Sequence, residues 1–268
     1  MKLLIGIPTN GQPTRPFLDA LRELVLPPNI DDADRVVWTG NLVAAQREMI
    51  ARDAVERGVD LLAMIDDDIV APPDALVRLA GALEADPRAA IAGALYYSRD
   101  SARPMAVSRW DSRDTTSAAI PAFAGEAVAR VDGVGFGCVV VRTAALRALS
   151  LPYFAAHVFV DRGARVVRQC DEDYLLCERV RGAGWHVLLH PGVRVGHYDR
   201  AAQTTAPARW ETDAETDRLR MIVLEPGGTR LVPFDDTLPR DTEQHEPFET
   251  TMLFAGDELI LSSSKKRP

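Results

Sequence analysis

The chain has 268 residues, enough for one large α/β domain or one domain with a small appendage. Hydrophobic residues make up 47% and charged residues 26%, a balance that fills a globular core. A net charge of −8 and a pI of about 5.2 argue against general nucleic-acid binding, which needs a basic face.

The chain opens on a short apolar run, Leu3 to Ile7, closed by Pro8. It is too short for a signal peptide or a membrane span and reads as a buried strand. No amphipathic or transmembrane anchor is evident elsewhere, so the expected location is cytoplasmic. In "RPFLDALRELVLPP", Phe17, Leu21, Leu24 and Val25 recur at helical spacing until Pro27 and Pro28 end the run. Arg35–Trp38 reads as a second short strand. "NLVAAQREMIARDAVERG" is a helix that Asn41 can cap and Gly58 can end. Leu61–Ile65 is a third strand, "APPDALVRLAGALEADP" a helix opening on prolines, and Ile91–Leu95 a fourth strand.

Strand and helix thus alternate through the first hundred residues, and the strands are continuous apolar runs. That pattern belongs to a parallel sheet covered on both faces, with ligand at the carboxyl ends of its strands. Neither a Gly-x-Gly-x-x-Gly turn nor a P-loop lysine follows the first strand, which argues against dinucleotide and Walker-type ATP sites.

Further along, "PMAVSRW" and "AVARVDGVGFGCVVVR" read as strands, the second interrupted by glycines, and "TAALRALS" as a short helix. "DEDYLLCERVRGAGW" is a helix with acids in its first turn and bases in its last. "HVLLHP" is a strand and "GVRVGHYD" follows it. After about residue 205, "RLRMIVLEPGGTRLVPF" and "TTMLFAGDELILS" read as hairpins joined at Pro-Gly-Gly and Gly-Asp. They form a small β appendage or an edge extension of the main sheet, and could mediate oligomer formation. Cys138, Cys170 and Cys177 are an odd set without C-x-x-C spacing, so free thiols are expected rather than a zinc site.

The chemistry is concentrated in "MIDDDIV". Three carboxylates stand at the end of an apolar strand. If the extended geometry persists, period two puts Asp66 and Asp68 on one side and Asp67 on the other. Two converging carboxylates suit Mg²⁺ or Mn²⁺, whose charge would remove their mutual repulsion. An acidic turn that caps the next helix is the competing reading. Glu172 and Asp173 stand at the positive end of a helix, where carboxylates are held ionised, although simple capping explains them too. His197 follows a strand, and Gly133, Gly135 and Gly137 allow close backbone approach or a bulge.

The order of these features resembles the GT-A-fold, family 2-like glycosyltransferases, most closely bacterial and phage-type members. The "IGIPT" strand, the Asp-x-Asp of Asp66 and Asp68, "VDGVGFGCVVVR", "EDYLLCERVRGAGW" and "VGH" carry it over residues 3 to 199, with Arg47 and "PPDAL" flanking the Asp-x-Asp strand. The resemblance implies a mixed, mostly parallel central sheet flanked by helices. It implies a catalytic domain over 1–204, divided into a nucleotide-binding half (1–100) and an acceptor half (101–204), with 205–268 as the β extension.

By resemblance, Pro8, Thr9 and Asn10 line the nucleotide pocket. Asp66 touches the ribose or the metal shell, Asp68 coordinates Mn²⁺ or Mg²⁺, and His197 is the second protein ligand. Asp173 is the general base with Glu172 beside it. Gly135, Phe136 and Gly137 border the sugar and acceptor cleft, and Arg47, with Arg99 as a weaker candidate, reaches the nucleotide or its phosphates. Asp67 is grouped with the donor-binding residues, yet is the aspartate expected to point away and best tolerate Asn. The implied donor is a UDP- or GDP-linked sugar and the implied outcome inversion, with the acceptor open. "VVWTGN" lacks the acid with which many relatives read the nucleobase. Nucleotidyltransferase chemistry and a non-catalytic nucleotide-sugar binding module are the alternatives.

Overall fold

The computed structural model describes residues 1–98, 104–110, 117–119, 127–161, 166–201, 204–206, 220–225, 228–233, 248–255 and 258–265. In chain order they form β1 (Lys2–Thr9), α1 (Arg15–Glu23), β2 (Asp32–Thr39), α2 (Val43–Glu56), β3 (Leu61–Ile65), β4 (Ile69–Val70), α3 (Ala75–Ala85), β5 (Ala89–Leu95), β6 (Ala106–Trp110), β7 (Ser117–Ala119), β8 (Ala129–Val131), β9 (Gly133–Val134), β10 (Cys138–Arg142), α4 (Thr143–Arg147), β11 (His157–Asp161), β12 (Val166–Cys170), α5 (Glu172–Gly182), β13 (His186–Arg194), β14 (Gly196–Asp199) and β15 (Thr204–Ala206). Two hairpins follow, Arg220–Glu225 with Gly228–Pro233 and Phe248–Ala255 with Glu258–Lys265.

The central sheet has seven strands in the order β2-β1-β3-β10-β5-β13-β8. Strands β2, β1, β3, β5 and β13 run one way, and β10 and β8 run against them. The expected mixed, mostly parallel α/β architecture is therefore present. Its apolar runs alternate between two cores. Leu4, Leu62, Met64, Val139 and Val141 face α2, α4 and α5, while Leu3, Ile5, Leu61, Ala63, Ile65 and Val140 face α1 and α3. Both faces are covered, which is why these strands read as continuous hydrophobic stretches. A Cβ on Gly6 would overlap the Ile50 side chain, so glycine there lets α2 lie close on β1.

Several local expectations need correction. Strand β2 spans Asp32–Thr39 and is mostly exposed, because it is the sheet edge. Its charged residues suit an edge that must not pair with another chain. Leu42, not Asn41, caps α2, and no side chain bonds its first turn. Gly58 does follow its end, at φ +66. Val25 lies beyond α1 and is exposed. The second C-terminal hairpin extends neither edge of the main sheet. It pairs with β11 in a separate four-stranded sheet.

Candidate active site

The carboxyl edge of the sheet gathers the chemistry. Thr9 ends β1, Asp66 follows β3, Tyr96 follows β5, and Phe136 and Gly137 precede the reversed strand β10. Helix α5 runs back toward β13, so Glu172 and Asp173 at its start reach the same edge.

The extended geometry assumed for the aspartates does not persist. Strand β3 stops at Ile65, and a turn closes as the Ile69 N–H donates to the Asp66 carbonyl at 3.1 Å. The three carboxylates therefore go three ways. Asp66 is gripped through both oxygens by Arg47 Nη2, at 3.0 and 2.8 Å. Asp67, buried, accepts from Thr9 Oγ1 at 2.5 Å and Arg200 Nη2 at 2.8 Å. Asp68 faces His197, with Oδ2 and Nε2 3.5 Å apart. The turn breaks the period-two rule and gives Asp66 and Asp68 different partners, although the Asp68 charge still raises the Asp66 pKa.

His197 owes its place to β14, which pairs with the two-residue β4 and sets His197 opposite Ile69. Its Nδ1 lies 3.0 Å from the Tyr97 carbonyl, which can only accept, so Nδ1 carries a proton and Nε2 is the nitrogen turned toward Asp68. A backbone carbonyl holding Nδ1–H is the arrangement that leaves Nε2 as the nitrogen a metal would take. The donor set, one carboxylate oxygen and one imidazole nitrogen, fits Mn²⁺ and, less well, Mg²⁺. Among the described residues no three His, Cys, Asp or Glu side chains form a metal-binding group. A cation here would draw its remaining ligands from solvent or a bound diphosphate.

Arg47 is buried, 6% exposed at its side chain. Besides Asp66 it binds Glu172 Oε1 through Nη1 at 2.5 Å, and its guanidinium lies 5.8 Å above the Phe136 ring. Engaged in this way, it does not present itself to phosphates. Burial works against its charge, but Asp66 first, then Glu172 and Asp173, raise its pKa further. Burial likewise pushes Asp66 up while Arg47 pulls it back. Both Asp66 oxygens meet a single nitrogen of a guanidinium that keeps its proton at any ordinary pH.

Asp173 is 6% exposed, and its Oδ1 accepts the Tyr174 N–H at 2.7 Å. Burial first, and the Glu172 charge second, push its carboxyl up to about 7, against the pull of Arg47. That value suits a group exchanging protons near neutrality. Cys138 and Cys177 are free and buried, and burial pushes each thiol up to about 12.

Tyr96 was not singled out from sequence. Its buried hydroxyl accepts the Gly137 N–H at 3.0 Å, and burial, with Asp66 and Asp173 nearby, holds it neutral. A Cβ on Gly135 would overlap that hydroxyl, and one on Gly137 would stand 2.8 Å from Tyr96 Cζ. The two glycines thus have a packing reason. Phe136 is fully buried and meets Phe154 edge-on, so it supports the site from beneath rather than lining an open cleft. Pro8 is buried and Asn10 exposed. Arg99 lies outside the described residues. Beside Thr9, a cavity of about 420 Å³ is lined by Trp38, Thr39, Gly40, Leu42, Gln46 and Met49, among others.

A family model described as "Glycosyltransferase like family 2" matches residues 33–218. Among solved structures, the crystal structure of A197 from STIV is similar, with a TM-score of 0.53 and 19% identity over 91% of this chain and 100% of that one. At that identity the likeness shows the fold alone. The structure of CMP:2-keto-3-deoxy-manno-octonic acid synthetase complexed with CTP is more distant, with a TM-score of 0.41 and 14% identity over 71% of this chain and 90% of that one. None of the curated proteins matches the chain.

Proposed function

The chain belongs to the glycosyltransferase like family 2, and from that premise we propose that it moves a sugar from a nucleoside-diphosphate donor to an acceptor hydroxyl with inversion. The observation that carries the reading is the buried Asp173, held near neutral pKa at the same sheet edge as the Asp68–His197 pair.

In this proposal Asp173 accepts the acceptor hydroxyl's proton as that oxygen attacks the anomeric carbon. The bond from that carbon to the diphosphate breaks, and the nucleoside diphosphate leaves with the electron pair. Asp68 and His197 would hold the cation, which when bound supplies positive charge to the leaving diphosphate. Tyr97, through its carbonyl, holds the His197 Nδ1–H and leaves Nε2 as the nitrogen for that cation. The diphosphate lies across the aspartate turn, and the cavity beside Thr9 is the space we assign to the nucleobase. Its volume lies in the range of small-ligand pockets, ample for a base with part of its ribose.

Thermal unfolding with Mn²⁺ and each nucleoside diphosphate tests the reading. UDP or GDP should raise the midpoint only when Mn²⁺ or Mg²⁺ is present. No stabilisation by any nucleoside diphosphate with either metal would overturn it. Among the described residues no helix is long and apolar enough to cross a membrane.

A further inference from the structure

Three consecutive residues of α2 reach three walls of the site. Gln46 Nε2 donates to the Thr9 carbonyl at the end of β1, at 3.0 Å. Arg47 binds Asp66 after β3 and Glu172 at the start of α5. Glu48, 1% exposed, accepts the N–H groups of Tyr153 and Phe154 at 2.7 and 2.9 Å. Side chains at successive helical positions diverge by about 100°, so one turn of helix can address three directions.

We infer that Arg47 is a positioning residue that sets the distance between the donor-side aspartate turn and the helix start carrying Asp173. It does not reach a substrate as a free ligand, because both terminal nitrogens are taken by carboxylates. Its Nε has no partner among the described residues. The guanidinium is therefore held by the two ion pairs and the Phe136 ring beneath it. Asp66 and Glu172 are 106 positions apart in sequence, and Arg47 joins them in one contact set. The Asp66 N–H also donates to the Gly137 carbonyl at 2.9 Å, which ties the turn to the segment over Phe136. Without the guanidinium, the buried Glu172 and half-buried Asp66 carboxylates would face each other uncompensated, and the turn and the helix start would separate.

The functional half of this inference rests on the proposed glycosyl transfer, and the positional half does not. Both are tested with Arg47→Met and Arg47→Lys. Hydrogen exchange of the intact chain should show faster amide exchange in Arg47→Met at residues 66–70 and at 171–176 together, with residues 89–95 of β5 unchanged. Arg47→Lys, which keeps a cation, should restore part of the protection. If only one segment or neither loosens, or Lys restores nothing, the inference is overturned. In turnover of a panel of UDP- and GDP-sugars with Mn²⁺, Arg47→Met should lower kcat about 100-fold and leave the donor KM within about threefold, as expected for misplaced rather than missing groups. A donor KM raised tenfold with kcat retained would make Arg47 a substrate ligand instead. Should Arg47→Met fail to fold, Glu172→Gln in the same two assays takes its place, with loosening at 171–176 and lower kcat expected. If the parent turns over no donor sugar, the glycosyl-transfer reading falls while hydrogen exchange still decides the positioning role.

Discussion

Replacing Asp173 by Asn should cut turnover sharply and stabilise the protein increasingly as pH rises above about 5, with the full effect above pH 7. Burial and the neighbouring Glu172 raise the Asp173 carboxyl from 3.8 to about 7. The unfolded chain loses that proton near pH 4, whereas the folded chain keeps it to about pH 7. Between those values the native state binds more protons than the unfolded one, so stability falls as pH rises, and the whole penalty is present above pH 7. Three pKa units correspond to about 4 kcal/mol. Asn removes both the buried charge and its repulsion with Glu172, but its buried amide NH₂ gains no partner and costs about 2 kcal/mol of this, so about 2 kcal/mol remains. Asn keeps the shape and an Oδ1 to accept the Tyr174 N–H. The variant should therefore melt about 5 °C above the parent at pH 8 and close to it at pH 5. Its turnover should fall by about 10²- to 10⁴-fold with nucleoside diphosphate binding intact. Calorimetric melting at pH 5, 6.5 and 8, alongside donor turnover, decides this. A variant less stable than the parent at pH 8, or equally stabilised at both ends, would refute the buried-charge reasoning. Unchanged turnover would refute the role as base.

Asp68→Asn and His197→Ala should each weaken metal-dependent nucleoside diphosphate binding by about 10- to 100-fold, read by calorimetric titration, while the unliganded melting temperature changes little. Gly135→Ala should cost about 2 kcal/mol or more from overlap with Tyr96, and Tyr96→Phe should recover part of that loss in chemical denaturation. It should recover little in a Gly137→Ala background, where the ring carbon is the obstacle. Glu48→Gln should cost about 3 kcal/mol, because the Tyr153 and Phe154 amides and Arg52 Nε lose their shared charged acceptor. Asp67→Asn should cost about 1–2 kcal/mol by weakening the Thr9 and Arg200 contacts, so it will not be silent.

The layer architecture was legible in the order of the elements. Apolar runs such as Leu61–Ile65 and Ile91–Leu95, alternating with helices, leave little choice but a sheet buried on both faces. What failed locally had local causes. The mostly polar β2 was underestimated because an edge strand carries charges that a buried strand cannot. Tyr96 escaped notice because nothing near it in sequence shows that Gly135 and Gly137 pack on its ring.

By itself the sequence determined which acids stand at strand and helix ends: Asp66, Asp67 and Asp68 after β3, and Glu172 and Asp173 opening α5. Composition and periodicity suffice for that, since they are properties of neighbours along the chain. Only the tertiary structure decided how those acids divide the work. The turn at Asp66 sends one carboxylate to Arg47, one to Thr9 and Arg200, and one to His197. Those partners lie 19 to 133 positions away, and β4–β14 pairing and the close seat of α2 bring them in. Side-chain direction in a turn is set by the groups packed against it, and those groups come from the far ends of the chain.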